Sequence, residues 1–232
     1  MGKLRIDPSV TRLTLFDLDN TLLAGDSDYG WAQFLIATGV LDGEDYERRN
    51  AEFFADYRAG RLDIRAFLEF QLKPLAEHES ERLLEWRERF LAEKIRPMLL
   101  PRAQAEVAER LAAGDLVAVV TATNSFITAP ITELYGIPHL VATQPEVVAG
   151  RFTGRTVGTP CFQAGKLACV QDWLARLELS LEAFGESWFY SDSHNDLPLL
   201  CAVTHPVAVD PDPVLARHAG ERGWPIVSWR ER

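Results

Sequence analysis

Apolar and polar residues follow two different rhythms along this chain of 232 residues. Leu13, Leu15 and Phe16 belong to a short apolar run that predicts a buried strand over Leu13–Leu18. From Ser27 to Arg96 no strand is predicted. Apolar positions there recur at helical spacing: Trp31, Phe34 and Leu35; Phe53, Phe54 and Tyr57; Ile64, Phe67 and Leu68; Leu83, Trp86 and Phe90. Gly39, Gly43, Gly60 and Pro74 read as breaks between helices, and Ser80 opens a last one that stops near Pro97.

Beyond Pro101 strands and helices alternate. A helix is predicted over Arg102–Ala113 and a strand, apolar enough to be covered on both faces, over Leu116–Val120. Phe126–Tyr135 reads as a helix that Pro130 either breaks or begins. A short strand follows at His139–Ala142, then a hairpin of Glu146–Val148 and Arg151–Thr153 about Ala149-Gly150. The remaining expectations are a helix over Ala164–Leu177, a strand over Trp188–Ser191, a helix over Asp196–Val203, and strands at Val207–Val209 and Ile226–Val227.

Such alternation predicts an α/β fold, a mostly parallel sheet covered on both sides. Ligands of these sheets sit beyond the carboxyl ends of the strands. Asp17, Thr121 and Asp192 all fall at that end, so one shared site is expected. The helical block inserted after the first strand would lie over the same edge as a lid. The expected division is a core of residues 1–24 and 98–232 with a helical cap of residues 25–97.

Composition narrows the field. A formal net charge of −10 disfavours nucleic acid and anionic membrane as partners, because either wants a basic face. No segment approaches the roughly 20 apolar residues needed to span a bilayer. Met1–Arg12 lacks the apolar centre of a signal peptide, so a cytoplasmic location is expected. Cys161, Cys169 and Cys201 lack metal-site spacing and are expected to be reduced thiols, Cys169 and Cys201 packed in helices. His78, His139, His205 and His218 show no ligand spacing, and His194 reads as a loop residue.

The candidate chemistry begins at Phe16-Asp17-Leu18-Asp19-Asn20-Thr21, where two carboxylates stand two apart as the first strand gives way to a turn. A carboxylate beside a second one at the mouth of a sheet can hold a divalent cation and attack phosphorus. An acidic turn without chemistry is the plain alternative. A phosphate-bearing substrate would meet an acidic protein, so a cation and local donors must reverse the sign of the field in the pocket.

Asp17-Leu18-Asp19-Asn20-Thr21 resembles the first motif of the haloacid dehalogenase superfamily of phosphatases. Val119-Val120-Thr121-Ala122-Thr123-Asn124 resembles the second, Lys166 after Gly165 the third, and Ser191-Asp192-Ser193-His194-Asn195-Asp196 the fourth. The four stand in the family's order. The resemblance implies a Rossmann-like doubly wound core with an inserted all-helical cap of the C1 type. It implies that Asp17 is the nucleophile, forming an aspartyl-phosphate, and that Asp19 is the general acid and then base. Thr121 and the backbone after it, including Ala122 and Asn124, would hold the phosphoryl group, and Lys166 would neutralise it. Mg²⁺ would be held by Asp17, Asp192 and the backbone carbonyl of Asp19. Asp196 would support the ligands or merely favour a helix dipole. Asn195 would bond the phosphoryl group or cap a helix.

A helical insertion between the first and second motifs resembles the phosphoserine phosphatase-like subfamily. Thr121–Pro130 and Gly150-Arg151-Phe152-Thr153-Gly154 resemble a bacterial branch of phosphoserine phosphatase-like hydrolases and histidinol-phosphatases. Asp26 stands where an acidic residue would read a substrate amine, although glutamate is usual there. Arg58, Arg61 and Arg65 are candidates for a substrate carboxylate, with solvated helix faces as the alternative. An imidazole-bearing ester would instead use Asp26 or Asp28, with Tyr29, Trp31 and Phe34 as stacking candidates. The expected partner is therefore a small amine-bearing phosphate ester. Two rivals remain at this point. One is a phosphotransferase or mutase on the same fold. The other is a phospho-accepting receiver, which would need no acid at Asp19.

Overall fold

The computed structural model describes residues 11–230. The first ten residues, on which most of the leader reading rests, and the last two of the expected core lie outside the described residues. Seven strands form one sheet: β1 (Arg12–Phe16), β2 (Leu116–Asn124), β3 (His139–Val148), β4 (Arg151–Val157), β5 (Glu186–Ser191), β6 (His205–Val209) and β7 (Ile226–Val227). Their order is β4-β3-β2-β1-β5-β6-β7, and every neighbouring pair is parallel except the β3–β4 hairpin. The α/β, mostly parallel architecture read from the sequence is the one observed.

Four helices, α1 (Ser27–Ala37), α2 (Gly43–Arg58), α3 (Ile64–Glu77) and α4 (Ser80–Phe90), intervene before α5 (Pro101–Ala112). Then come α6 (Ser125–Leu134), α7 (Ala164–Arg176), the single turn α8 (Leu197–Leu200) and α9 (Pro213–Arg222). The sheet is buried on both faces. On one, Phe16, Val117 and Val119 share a cluster with Trp31, Phe34, Leu72, Trp86 and Phe90 of the inserted helices. On the other, Leu13, Leu15, Val120 and Phe189 pack against Val170 and Leu174 of α7 and Leu215 of α9. Trp31 and Phe34 are thus core residues and not part of a ligand pocket.

Several expectations are corrected. Pro130 neither breaks nor begins a helix: α6 starts at Ser125, capped by the Asn124 side chain, and runs through it. Proline removes the N–H that would bond the carbonyl four residues back. That carbonyl, Phe126, accepts instead from Arg87 Nη1 at 3.0 Å. Pro74 likewise lies inside α3. β3 is one strand, not two, because Pro145 sits at a register irregularity and the same strand leaves β2 to pair with β4. The hairpin turn at Ala149-Gly150 is where the sequence puts it, with φ of 50° and 80°. The helix expected over Asp196–Val203 is a short turn at His194–Asp196 followed by α8, so Cys201 falls beyond its end and is exposed. α9 was missed, although Asp212-Pro213 is a capping residue followed by proline at a first turn.

Candidate active site

Asp17 is the first residue beyond β1, and its N–H donates to the Tyr190 carbonyl of β5 at 2.9 Å. The chain then turns sharply, with Asn20 at φ 61° in the left-handed region that asparagine tolerates. On the other side, Thr121 pairs with Ala142 and Asn124 with Thr143, so Ala122 and Thr123 have no register partner on β3. This irregularity turns the end of β2 out of the sheet and toward Asp19.

The residues singled out at the strand ends converge. Lys166 Nζ stands 2.7 Å from Asp17 Oδ1 and 2.7 Å from Asp196 Oδ2. The Thr21 hydroxyl lies within hydrogen-bond distance of both Asp17 Oδ2 (3.0 Å) and Asp192 Oδ1 (3.2 Å). Ser191 Oγ donates to Asp196 Oδ2 at 2.7 Å. Asp19 Oδ1 accepts from the Ser27 N–H at 2.6 Å, and Oδ2 accepts from Thr123 Oγ1 at 2.8 Å. Thr121 Oγ1 is farther from that carboxylate, at 3.5 Å.

Lys166 is placed by an unusual approach. A Cβ at Gly165 would stand 2.2 Å from the Pro160 carbonyl oxygen, so only glycine allows the first turn of α7 to lie where it does. Gln163, which precedes that helix, has φ 49° and ψ −123°, a strained backbone for a residue with a side chain. Its amide donates to Asn195 Oδ1 at 3.0 Å and to the Gly60 carbonyl at 3.3 Å.

Burial sets the electrostatics. It would lower the pKa of Lys166, but Asp17 and Asp196 outweigh it and hold the ammonium well above the usual lysine range. Asp17 is pushed up by burial, opposed by Lys166. Burial and the neighbouring Asp26 push Asp19 up to about 6. Asp192 is raised well above the carboxylate range by burial and by Asp17 and Asp196.

One ammonium thus faces several crowded carboxylates, and the oxygen-only donor set of Asp17 and Asp192 suits a hard divalent cation. Among the described residues no group of three or more His, Cys, Asp or Glu converges as a metal site. Two carboxylates with waters and phosphate is an ordinary Mg²⁺ arrangement, so the residues present fit that ion.

Most of these groups open into one cleft, although Asp192 does not line it. Asp17, Asp19, Thr121, Ala122, Lys166, Asn195 and Asp196 line it from the sheet side, and Asp26 lines it from the start of α1. Tyr29, Asn50, Phe53, Phe54, Tyr57, Phe67 and Gln71 line it from the inserted helices. Three expected contacts are otherwise engaged. Asn124 does not line the cleft: its Oδ1 accepts from the Ile127 N–H to cap α6, and Thr123 beside it on the bulge lines the cleft instead. Asp26 lines it but also caps α1, with Oδ1 accepting from the N–H groups of Asp28 and Tyr29. Asn195 is held by Gln163 and by the Tyr57 carbonyl. Arg58, Arg61 and Arg65 are exposed and line no part of the cleft. Cys161 is buried against Val141 and Thr143, away from it.

The sequence reading passed over Tyr57, Gln163 and Gln71. Gln163 had a usable signal, since it lies three residues before the motif lysine. Tyr57 and Gln71 sit on ordinary helical faces and carried none.

Comparisons agree with this geometry. The family model for haloacid dehalogenase-like hydrolases matches residues 14–200. A histidinol-phosphatase of Neisseria meningitidis serogroup C (strain 8013) is 44% identical over 219 residues, covering 94% of this chain and 99% of that protein. A solved protein of unknown function from Bordetella pertussis Tohama I superposes with a TM-score of 0.90 at 50% identity, covering 96% and 100% of the two chains. A phosphoserine phosphatase solved as a phospho-aspartyl intermediate analogue shares the fold, with a TM-score of 0.68 at 20% identity over 96% and 95%. Described helices contain no span long and apolar enough to cross a membrane. With its four motifs gathered at one edge of a parallel sheet, this chain belongs to the haloacid dehalogenase-like hydrolase family.

Proposed function

We propose that the protein is a Mg²⁺-dependent phosphomonoesterase that works through an aspartyl-phosphate and acts on a small amine-bearing ester of the histidinol phosphate type. The observation that carries this reading is the Lys166 ammonium 2.7 Å from Asp17, with Asp19 fixed two residues on by Ser27 and Thr123. Asp17 attacks phosphorus while Lys166 offsets the charge of the transferring group. Asp19, protonated at the start, gives its proton to the departing alkoxide. The same carboxylate then takes a proton from the water that cleaves the acyl phosphate, which regenerates Asp17 and releases phosphate. Asp17, Asp192 and the Asp19 carbonyl would hold Mg²⁺, which when bound supplies positive charge opposite the phosphoryl oxygens. Residues 25–97 act as the cap that screens these steps from bulk water.

Lys166 is the one lysine or arginine among the residues lining the cleft, and it is already paired with two carboxylates. A substrate carboxylate would therefore find no cationic partner, which weighs against phosphoserine. The kinship to a histidinol-phosphatase supports the same choice. The test is phosphate release with Mg²⁺ from L-histidinol phosphate, O-phospho-L-serine, a sugar phosphate and p-nitrophenyl phosphate. L-Histidinol phosphate should give the highest kcat/KM. Preference for O-phospho-L-serine would overturn the substrate assignment, and inactivity on all four would overturn the phosphatase reading.

A further inference from the structure

On the inserted helices that line the same cleft, a second set of polar groups stands unused by the chemistry above. Asp28 is buried on α1, and its Oδ2 accepts from Gln71 Nε2 of α3 at 3.1 Å. The Tyr46 hydroxyl of α2 donates to Gln71 Oε1. That bond fixes the amide orientation, so Gln71 turns its NH₂ toward Asp28 and not its oxygen. Asp28 Oδ1 takes no hydrogen bond among the described residues. Asn50, also on α2, lines the same cleft at 5% exposure, and its side-chain nitrogen is buried with no hydrogen-bond partner. A buried donor left unpaired costs about 1–3 kcal/mol, and such groups are rare in native proteins unless something outside the chain completes them.

We propose that Asp28 and Asn50 form a specificity subsite for a nitrogen heterocycle carried by the ester, Asp28 accepting from a ring N–H and Asn50 donating to a second ring nitrogen. The proposal rests on the phosphomonoesterase reading for its substrate but not for its binding geometry. A primary ammonium would satisfy Asp28 and leave Asn50 orphaned. A carboxylate has no N–H to offer Asp28. An imidazole offers both a donor and an acceptor on one planar ring. Phe53 and Phe67 line the same cleft and supply faces for a flat ring. Gln71 and Tyr46 act as positioning residues, holding the Asp28 carboxylate in one orientation.

The experiment is calorimetric binding of L-histidinol and of L-phenylalaninol to the full chain. Both carry the amine and the hydroxyl, and only the first carries ring nitrogens. The wild-type protein should favour L-histidinol by roughly 10- to 100-fold, the range expected for hydrogen bonds to charged or buried groups. Asp28→Asn and Asn50→Leu should each collapse that ratio. Asn50→Leu removes an unpaired buried donor at similar volume, so it keeps the fold intact, and melting temperatures check both variants. Absence of discrimination in the wild type, or a ratio that survives in both variants, would overturn the subsite. Turnover of p-nitrophenyl phosphate by the wild type is scored separately. Its failure sinks the phosphatase reading, and the binding ratio still decides the subsite.

Discussion

The Thr123 hydroxyl donates to Asp19 Oδ2 at 2.8 Å, joining the irregular end of β2 to the carboxylate two residues beyond the nucleophile. Burial pushes Asp19 up, while Thr123 and Ser27 pull it down. The balance leaves it near 6, where a carboxyl can both give and take a proton close to neutrality. Thr123→Val removes one stabiliser of the charged form, so the pKa should rise further. The alkaline limb of kcat/KM for an alkyl phosphate ester should then move upward by about one pH unit or less. A limb that stays put would separate Asp19 from the acid step.

Asp17→Asn retains shape and loses the nucleophile. Turnover of p-nitrophenyl phosphate should drop by at least about a thousandfold. Lys166 keeps Asp196 as a partner, so the melting temperature should not fall. Turnover within tenfold of wild type would exclude a covalent route through this residue.

Chelator should stop hydrolysis, and Mg²⁺ should also change stability in a pH-dependent way. Asp19 and Asp192 have native pKa values above their unfolded ones. The stability they contribute is therefore full below about pH 4 and is lost as pH rises through their native values, about 6 for Asp19. A cation bound by ionised Asp192 offsets that residue's share of the loss. Thermal scans in Mg²⁺ against chelator should show a larger rise at pH 7 than at pH 5, on the order of 2.7 kcal/mol at a hundredfold excess over Kd. Equal rises at both values would place the ion elsewhere.

Gln163→Gly relieves a backbone that costs about 1–3 kcal/mol but cuts the bonds to Asn195 and the Gly60 carbonyl. Catalytic efficiency should fall several-fold while the melting temperature holds or rises. A loss of stability without loss of activity would make the strained residue a purely structural one.

Arg87 serves a carbonyl that Pro130 left without its helical partner. Arg87→Leu should destabilise by about 1–3 kcal/mol in denaturant unfolding. Adding Pro130→Ala, which returns an N–H to the helix, should recover part of that loss. Strict additivity of the two changes would show that the two residues are not coupled.

Legibility differed from residue to residue. Asp17, Thr121, Lys166 and Asp192 could be read because each follows an apolar run or a glycine that marks where an element ends. Asn124 was expected beside the phosphoryl group, and its side chain caps α6 through the Ile127 N–H, a bond that its place in the sequence does not announce. β3 was read as two segments, His139–Ala142 and Glu146–Val148, whereas one strand spans both with Pro145 at an irregular position between them. The pairing of Asp28 with Gln71 was invisible, since 43 residues separate them.

Local order decided the elements. The period of apolar positions, the glycine before Lys166 and the carboxylates at strand ends are properties of short stretches, and the sequence alone determined the α/β class and the sheet edge that carries the site. Tertiary structure decided which hydroxyl holds Asp19, that Arg58, Arg61 and Arg65 face solvent, and that Asp28, Asn50 and Gln71 meet in one cleft. Those outcomes depend on how α1, α2 and α3 pack against the sheet and one another. No spacing along the chain encodes the direction in which a side chain on a packed helix finally points.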